Sequence, residues 1–233
     1  MTNTPQIGSL NEKALHAALK QWYAQPDDQF EVPVDGFVID IVRGEQLIEI
    51  QTRNFSAMKR KLVKLTATHP VRLVHPIAQE KWIVKLANDE QSQLSRRKSP
   101  KRGDFVHLFQ EMLRIPHLMG NDNFTLEILL IKEEEVRRHE ANRAWRRRGW
   151  VTHERKLLEV VNRKLFEAPE DLGTFIPDTL DGPFTTADLA KAIRQPRPLA
   201  QKIAYTLRAM EVITQVGKRG RSYLYERAHL TST

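Results

Sequence analysis

The first half of the chain alternates between helical and strand-like patterns of hydrophobic and polar residues. Apolar residues recur at helical spacing over residues 9–24, with Ser9 as a candidate N-cap. Two strand-like runs follow, "FEVPVDGFVIDIV" and "QLIEIQT", and the "RGE" between them is typical of a tight hairpin turn. The pattern therefore predicts an N-terminal helix that leads into a β-hairpin.

A second helix and further strands are predicted after this hairpin. An amphipathic helix is indicated over "NFSAMKRKLVKLTAT", and short strands over "VRLVHPIA" and "KWIVKLA". Residues 88–104 are polar, basic and rich in turn formers, which predicts a loop. A helix that begins at Asp104 and a late strand, "FTLEILLIKEEEV", complete an α/β arrangement around a mixed sheet.

The pattern changes near residue 136, where "RRHEANRAWRRRGWVTHERKLLEVVNRKLF" indicates a strongly basic helical segment. Closer to the C-terminus come a short helix capped by Thr185 or Thr186, a turn with Pro196 and Pro198, a longer helix and a basic hairpin. This order is typical of a winged helix-turn-helix. We therefore predict three parts: an α/β domain over residues 1–135, a basic helical connector over 136–155, and an α+β winged-helix domain over 156–233.

Charge is distributed unevenly along the 233 residues, which carry a net charge of +8. Residues 132–233 hold 20 Lys/Arg against 14 Asp/Glu, a net +6, whereas residues 1–131 hold 17 against 15, a net +2. A basic C-terminal part points to a polyanionic partner, most often nucleic acid, although many soluble proteins are basic without one. Charge alone leaves both interpretations open.

Several classes of protein are disfavoured by what the sequence lacks. The chain has no cysteine, which excludes disulfides, cysteine-based zinc sites and a cysteine nucleophile. Its eight histidines show no HxxxH or HExxH spacing, and there is no glycine-rich phosphate loop. Because the chain shows neither a signal pattern nor an apolar run of about 20 residues, we expect a cytoplasmic protein, or a nuclear one in a eukaryote, without a membrane partner.

Two acidic residues stand in the predicted hairpin where core residues are expected. Asp40 lies in "GFVIDIV" and Glu49 in "LIEIQT", and a turn at residues 43–46 would place them opposite one another. Two carboxylates, a backbone carbonyl and water are oxygen ligands that Mg²⁺ prefers. Glu12 in the first helix lies where it could lean toward the same edge. The alternative is that each carboxylate simply meets solvent at the end of a strand.

These segments resemble the core of the PD-(D/E)xK nuclease superfamily. "NEKALHAALKQWYA", "GFVIDIV" and "LIEIQTRNFSAMKRKL" follow its order of a helix with Glu, a strand with Asp, a strand with Glu and a helix. The likeness is to Glu-x-Gln variants such as the resolvase-like members. It implies a restriction-endonuclease-like fold and metal-dependent hydrolysis of DNA, with Asp40 and Glu49 as ligands of Mg²⁺ or Mn²⁺ and Glu12 in an accessory role.

The sequence departs from this family at Gln51, where a lysine is more usual. Such a lysine would orient the attacking water and offset charge in the transition state. Gln51 can position a water but carries no charge, so Arg53 on the same strand face, or Lys59 or Lys61 in the following helix, would supply it. The predicted catalytic residues are Glu12, Asp40, Glu49, Gln51 and Arg53.

Three basic stretches are candidates for contacts with nucleic acid: the loop at 95–104, the segment "RAWRRRGW", and the C-terminal helix with its hairpin. The alternatives are a solvated loop, a junction packed by tryptophans, and a winged helix that binds protein. The candidate nucleic-acid-binding residues are Lys59, Arg96, Arg97, Lys98, Lys101, Arg102, Arg146, Arg147, Arg148, Arg197, Gln201, Lys202, Tyr205, Arg208, Lys218, Arg219 and Arg221.

Together these features predict a Mg²⁺- or Mn²⁺-dependent DNA endonuclease whose winged helix positions duplex or branched DNA, with RNA less favoured. Because Gln51 replaces the usual lysine, the alternative is a non-catalytic DNA-binding regulator or adaptor built on an inactive nuclease fold. Nucleases of this kind often act as homodimers that cut both strands, but the residues leave the oligomeric state open.

Overall fold

A computed structural model describes residues 7–87, 92–140 and 143–228, without the side chains of residues 7–13 and 145. The helices in these ranges are α1 Ile7–Tyr23, α2 Phe55–Leu65, α3 Phe109–Met112, α4 Pro169–Gly173, α5 Thr186–Ala192 and α6 Arg197–Ala209. The strands are β1 Gln29–Val34, β2 Phe37–Arg43, β3 Gln46–Ile50, β4 Val71–Leu86, β5 Gln93–Lys98, β6 Phe124–His139, β7 Trp150–Phe166, β8 Ile213–Arg219 and β9 Ser222–Arg227. None of the described helices combines the length and apolar character needed to cross a membrane.

The centre of the molecule is a seven-stranded mixed sheet with the order β1-β2-β3-β4-β6-β7, and β5 pairs with β4. The pairs β3–β4 and β4–β6 are parallel, and the remaining neighbours are antiparallel. A parallel pair needs a crossover connection, which α2 provides between β3 and β4. The predicted α/β class with a mixed sheet is confirmed.

The sheet has a separate hydrophobic core on each face. Adjacent residues of a strand point to opposite faces, so Leu47 and Ile48 of β3 belong to different cores. On one face, α1 packs Leu15, Leu19 and Tyr23 against the sheet. The other face is covered by α2, α3 and the C-terminal helices. The predicted hairpin therefore lies between two helical layers.

The predicted basic helical connector at 136–155 is wrong. Residue 136 lies within β6 and residue 155 within β7, and these two long strands pair antiparallel. The charges of this segment are accommodated in pairs across strands. Glu133, fully buried, lies 2.6 Å from the guanidinium of Arg155 and 2.8 Å from the ammonium of Lys81. Such pairing lets a highly charged sequence form a sheet, which its composition does not reveal.

Three smaller predictions also change. The two short strands predicted over residues 71–87 form the single strand β4, and the predicted loop at 88–104 contains β5, although residues 88–91 lie outside the described residues. The helix predicted from Asp104 is a 3₁₀ turn at residues 105–108 followed by the short α3. Asp104 does begin it, because its carboxylate accepts a hydrogen bond from Phe105 N at 2.7 Å. The first helix starts at Ile7, two residues before the predicted cap at Ser9.

The C-terminal region consists of α5, α6 and the β8–β9 hairpin, which is joined to the chain before α5 by a bridge between Phe184 and Tyr225. Thr185 caps α5, with its hydroxyl accepting from Ala187 N and Asp188 N. The buried face of α6 belongs to the same core as α2 and α3. These elements therefore pack onto one face of the central sheet.

Candidate active site

Asp40 and Glu49 lie opposite one another on β2 and β3. The ladder pairs Arg43 with Gln46, Val42 with Leu47 and Ile41 with Ile48, so the next opposed positions are 40 and 49. The predicted turn at 43–46 is confirmed. Backbone pairing between β2 and β3 ends at Ile41 and Ile48. Beyond this point the carboxylate of Asp40 accepts a hydrogen bond from the backbone N–H of Ile50 at 2.8 Å, so a side chain replaces the backbone acceptor.

Asp40 is held by groups from α1 as well as from β3. Its Oδ2 atom lies 3.0 Å from Nε2 of His16, which must carry the proton because a carboxylate only accepts. Burial acts to raise the pKa of Asp40. The hydrogen bonds from His16 and Ile50, with the positive charges of His16 and Lys20, outweigh that effect and hold the pKa of Asp40 below its ordinary value.

Glu49 has the opposite electrostatic character. Its side chain is 4% exposed, and its pKa is raised from 4.5 to about 7, first by burial and then by the negative charge of Asp40. Lys61 of α2 offsets part of this, because its ammonium lies 2.6 Å from Oε1 of Glu49. The same ammonium donates to the carbonyl of Val38 at 2.6 Å. Two nearby carboxylates with pKa values pushed in opposite directions are typical of functional sites.

The N-terminus of α2, the helix that carries Lys61, is capped by a residue of another helix. Its first residue follows Asn54, which has a left-handed backbone (φ 61°) and provides no side-chain cap. Glu111 of α3 accepts a hydrogen bond from the N–H of Phe55 at 3.1 Å and so supplies the missing acceptor.

Gln51 and Arg53 come directly after the end of β3 and differ in their contacts. The strand β3 ends at Ile50, and both residues lie in the turn that leads to α2. The side-chain amide of Gln51 donates to the carbonyl of Asn54 at 3.2 Å, and its backbone carbonyl accepts from Nδ1 of buried His75 at 2.6 Å. Arg53 is exposed. The expected continuation of the strand face is therefore wrong for Arg53, whereas the backbone N–H of Gln51 still donates to the carbonyl of Val74 in β4 at 2.9 Å.

The structure adds His16 to the residues named from the sequence and selects Lys61 among the lysines of α2. Lys59 is exposed, whereas the ammonium of Lys61 reaches Glu49. His16 had a detectable signal, because it follows Glu12 by four residues and so shares its helical face. Glu12 falls in α1, but its side chain lies outside the described part of the chain.

Among the described residues, no group of three or more histidines and carboxylates is arranged to hold a metal ion. The candidate metal ligands on the described strands are therefore the two carboxylates of Asp40 and Glu49. Both are oxygen donors of the kind that suits Mg²⁺ or Mn²⁺ rather than a softer metal.

The basic residues of the predicted loop at 95–104 are exposed on and after β5. Arg96 lies 2.9 Å from Glu134, and Lys98 lies 2.9 Å from Glu80. The cationic groups of Arg96 and Lys98 also each lie 5.2 Å from the ring centre of Trp82. Arg102 approaches Glu80 at 3.4 Å, and Arg97 and Lys101 are exposed on the same stretch.

The four arginines of "RAWRRRGW" lie at the connection between β6 and β7, and all four are exposed. Arg146 and Arg147 are in a 3₁₀ turn at 145–147, and Arg148 follows with a left-handed backbone (φ 51°). The guanidinium of Arg147 donates to the hydroxyl of Thr152 at 3.2 Å. These cations are therefore exposed where the chain passes from β6 to β7.

The C-terminal helix exposes the residues that its pattern predicts. Residues from α6 and from the β8–β9 hairpin line a common cleft of 310 Å³, among them Arg197, Gln201, Tyr205, Arg208 and Arg221. Lys202 and Lys218 are also exposed, and the ammonium of Lys218 lies 5.3 Å from the ring centre of Tyr223. Arg219 differs from its neighbours because it forms an ion pair with Asp188 of α5 at 2.9 Å.

Residues 13–167 match the family model described as "Domain of unknown function (DUF8091)". The chain belongs to the DUF8091 family. The matched range runs from within α1 to just beyond the end of β7, so it contains His16, Asp40, Glu49 and Lys61. An uncharacterized protein of Treponema pallidum (strain Nichols) is 28% identical over 225 residues, which cover 95% of this chain and 87% of that relative. Similarity to that relative thus extends beyond the DUF8091 match into the C-terminal elements. No solved structure matches the chain.

Proposed function

We propose that this protein is a cytoplasmic, metal-dependent DNA endonuclease that hydrolyses phosphodiester bonds at Asp40 and Glu49. The observation that carries the proposal is the opposed placement of these two carboxylates, one of which is buried and has its pKa raised to about 7 partly by the charge of the other. Burying a carboxylate beside another is costly unless a cation offsets it, so the arrangement favours a cation-binding role.

A divalent cation fits the chemistry of this donor set. Asp40 and Glu49 are hard oxygen donors, and a cation between them would relieve the repulsion that raises the pKa of Glu49. When bound, Mg²⁺ or Mn²⁺ would polarise the phosphodiester and lower the pKa of a water nucleophile. Glu12 is the proposed third acidic residue, because its position in α1 is one helical turn before His16.

The protein's own residues would hold this site in shape. His16 and the N–H of Ile50 fix the carboxylate of Asp40, while Lys61 fixes that of Glu49. The Lys61 ammonium is also the nearest described candidate for the positive charge that Gln51 lacks. In this role it would offset the charge that builds up on the phosphate during hydrolysis. Gln51 would orient the water after its side chain leaves the carbonyl of Asn54.

A winged-helix role for the C-terminal elements is the second part of the proposal. The order α5, α6 and β8–β9 and the exposed polar side chains that line one cleft support it. The exposed cations on β5 and at the β6–β7 connection would add phosphate contacts. Duplex or branched DNA is the proposed partner ahead of RNA, and a homodimer would allow both strands to be cut.

One observation favours a second candidate, a non-catalytic DNA-binding regulator or adaptor. Both carboxylates already have protein partners, Asp40 with His16 and Glu49 with Lys61. Carboxylates that already form ion pairs within the protein can have a purely structural role. In that case the fold would bind DNA through its basic surfaces without cutting it.

The deciding experiment is cleavage of supercoiled plasmid and single-stranded DNA with Mg²⁺ or Mn²⁺. Wild type is compared with Asp40→Asn and Glu49→Gln, which keep the size of each side chain, and with Glu159→Gln as a control that removes a carboxylate paired with Lys132 on the sheet. Cleavage by wild type and the control, lost in both site variants with DNA binding retained, would support the nuclease. Tight, salt-dependent binding without cleavage under either metal would overturn it and leave the regulator.

A further inference from the structure

A second cleft lies at the C-terminal end of α1, apart from the carboxylate pair. It has a volume of 760 Å³, and three of the residues that line it are Arg43, Arg72 and Arg163. Among the described residues that line it there is no Asp or Glu. A concave surface with three guanidinium groups and no lining acid favours an anionic ligand.

Two of these guanidinium groups are held in place by hydrogen bonds that leave donors over. Arg43 uses Nε and Nη2 to contact the carboxylate of Asp28 at 2.8 Å each, and Nη2 also donates to the carbonyl of Tyr23. Arg72 uses Nε toward Thr125 and Nη1 toward the hydroxyl of Tyr23. A guanidinium has five N–H donors, so these bonds do not use Nη1 of Arg43 or Nη2 of Arg72.

Arg72 and Arg163 approach the same carboxylate, that of buried Glu127, which does not itself line the cleft. Glu127 accepts a hydrogen bond from the hydroxyl of Tyr23 and lies 3.7 Å from both Arg72 and Arg163. Two arginines thus share one negative charge, which leaves an excess positive charge beside the cleft. The side chain of Arg163, which lines the cleft, is 65% exposed.

The cleft also has an apolar rim. Trp22 is 44% exposed and Val161 is 39% exposed, and both line the cleft. A large aromatic ring left open to solvent beside several arginines suits a ligand that combines a flat ring with a phosphate. Bases stack on such rings irrespective of their sequence.

We propose that this cleft binds a nucleotide, with the phosphate held by Arg43, Arg72 and Arg163 and the base stacked on Trp22. A free nucleotide and a nucleotide within a single strand share this chemistry. Tyr23 follows His16 by seven positions on α1, so the cleft lies about 10 Å along that helix from the carboxylate pair. The inference goes beyond the proposed nuclease, because nucleotide binding here does not require cleavage there.

The test is calorimetric titration of the full chain with deoxyadenosine 5′-monophosphate, with deoxyadenosine, and with a short oligothymidylate. Arg163→Gln and Trp22→Ala remove one exposed contact each, and Arg60→Gln, an exposed arginine on α2, is the matched control. Each cleft variant should weaken binding by about ten-fold, since a charged hydrogen bond and a stacked base are each worth that much. Trp22→Phe should retain most of the affinity because it keeps a ring.

Binding of the monophosphate but not of deoxyadenosine, weakened about ten-fold in the cleft variants alone, would support a free nucleotide as the source. Binding of the oligonucleotide only, with the same dependence on Arg163 and Trp22, would support a nucleotide within a strand. The proposal is overturned if neither the monophosphate nor the oligonucleotide binds. It is also overturned if both cleft variants bind these probes as tightly as Arg60→Gln does. Plasmid cleavage by the two cleft variants is measured in parallel, so a failure of nucleotide binding here is distinguishable from a failure of the nuclease.

Discussion

Asp40 and Glu49 are neighbours across one strand pair, yet their side-chain partners come from opposite faces of the sheet. His16 reaches Asp40 from α1, and Lys61 reaches Glu49 from α2. Because α1 and α2 belong to different cores, the carboxylate pair is a point at which both helical layers meet. Its geometry therefore depends on the packing of both helices, and it can be probed from either side.

Replacing Lys61 tests the cation side of the pair. Lys61→Met should raise the pKa of Glu49 further, because it removes the positive charge that offsets burial and the charge of Asp40. The free energy of unfolding at pH 8 should fall by about 2 kcal/mol, the cost of leaving a buried charged group without its partner. Urea unfolding measures this, and Lys59→Met, an exposed lysine of the same helix, is the control. An equal loss in both variants would show that the ion pair is not the cause.

The pH dependence of stability should carry the signature of Glu49. Its pKa is raised in the folded protein to about 7 from an ordinary 4.5, so the folded state binds the proton more tightly than the unfolded state does. Stability should therefore fall as pH rises from about 4.5 to about 7, by up to about 3 kcal/mol for this group. Urea unfolding of wild type and Glu49→Gln across this window isolates the effect, since the variant cannot titrate there. Parallel pH profiles would contradict the assignment.

Asp40 should control Glu49 through charge. Asp40→Asn keeps an acceptor for the N–H of Ile50 but removes the negative charge, so the pKa of Glu49 should fall. Carbon NMR titration of the Glu49 carboxyl measures this directly. Asp40→Ala should lower the pKa as well, and should in addition cost about 1–3 kcal/mol of stability because the Ile50 N–H loses its partner. An unchanged pKa of Glu49 in both variants would show that burial alone raises it.

The hairpin was predictable because local signals agree with the tertiary structure. The "RGE" turn fixes the register of β2 and β3, and that register alone brings Asp40 opposite Glu49. The exposed side of α6 was predictable for the same reason, since a period of 3.6 separates it from the buried side. Where the period of the apolar residues and the residue types of the turn agree, the local structure can be predicted from the sequence.

The segment 136–155 was not predictable because its stabilising partners are distant in sequence. Glu133 is buried in β6 only because Lys81 and Arg155 lie beside it in neighbouring strands. Local composition, with seven Arg among these 20 residues, favours a helix instead. The spacing of His16 to Glu12 places it on the predicted helical face, but its contact with Asp40 joins residues 24 positions apart in the sequence, which that spacing does not reveal.

The cap of α5 allows a test of the C-terminal elements that does not depend on function. Thr185 accepts from Ala187 N and Asp188 N, and the carboxylate of Asp188 in turn accepts from Thr185 N at 2.8 Å. Thr185→Ala should cost about 1 kcal/mol by leaving these N–H groups without an acceptor. Thermal unfolding followed by circular dichroism checks this, with Thr186→Ala as the neighbouring control. A similar loss in both variants would argue against Thr185 as the cap.

Arg221 and Arg219 of the hairpin should contribute to DNA binding in different ways. Arg221 lines the cleft with α6, so Arg221→Gln should weaken duplex binding and reduce the slope of log affinity against log salt by about 1, as expected for one lost phosphate contact. Arg219 instead pairs with Asp188, which also completes the cap of α5, so Arg219→Gln should change stability as well as affinity. Fluorescence anisotropy over a salt series, with urea unfolding of the same variants, separates the two effects. If Arg221→Gln leaves both the affinity and the salt slope unchanged, this cleft does not contact the phosphate backbone, and the winged-helix part of the proposal fails even if cleavage is observed.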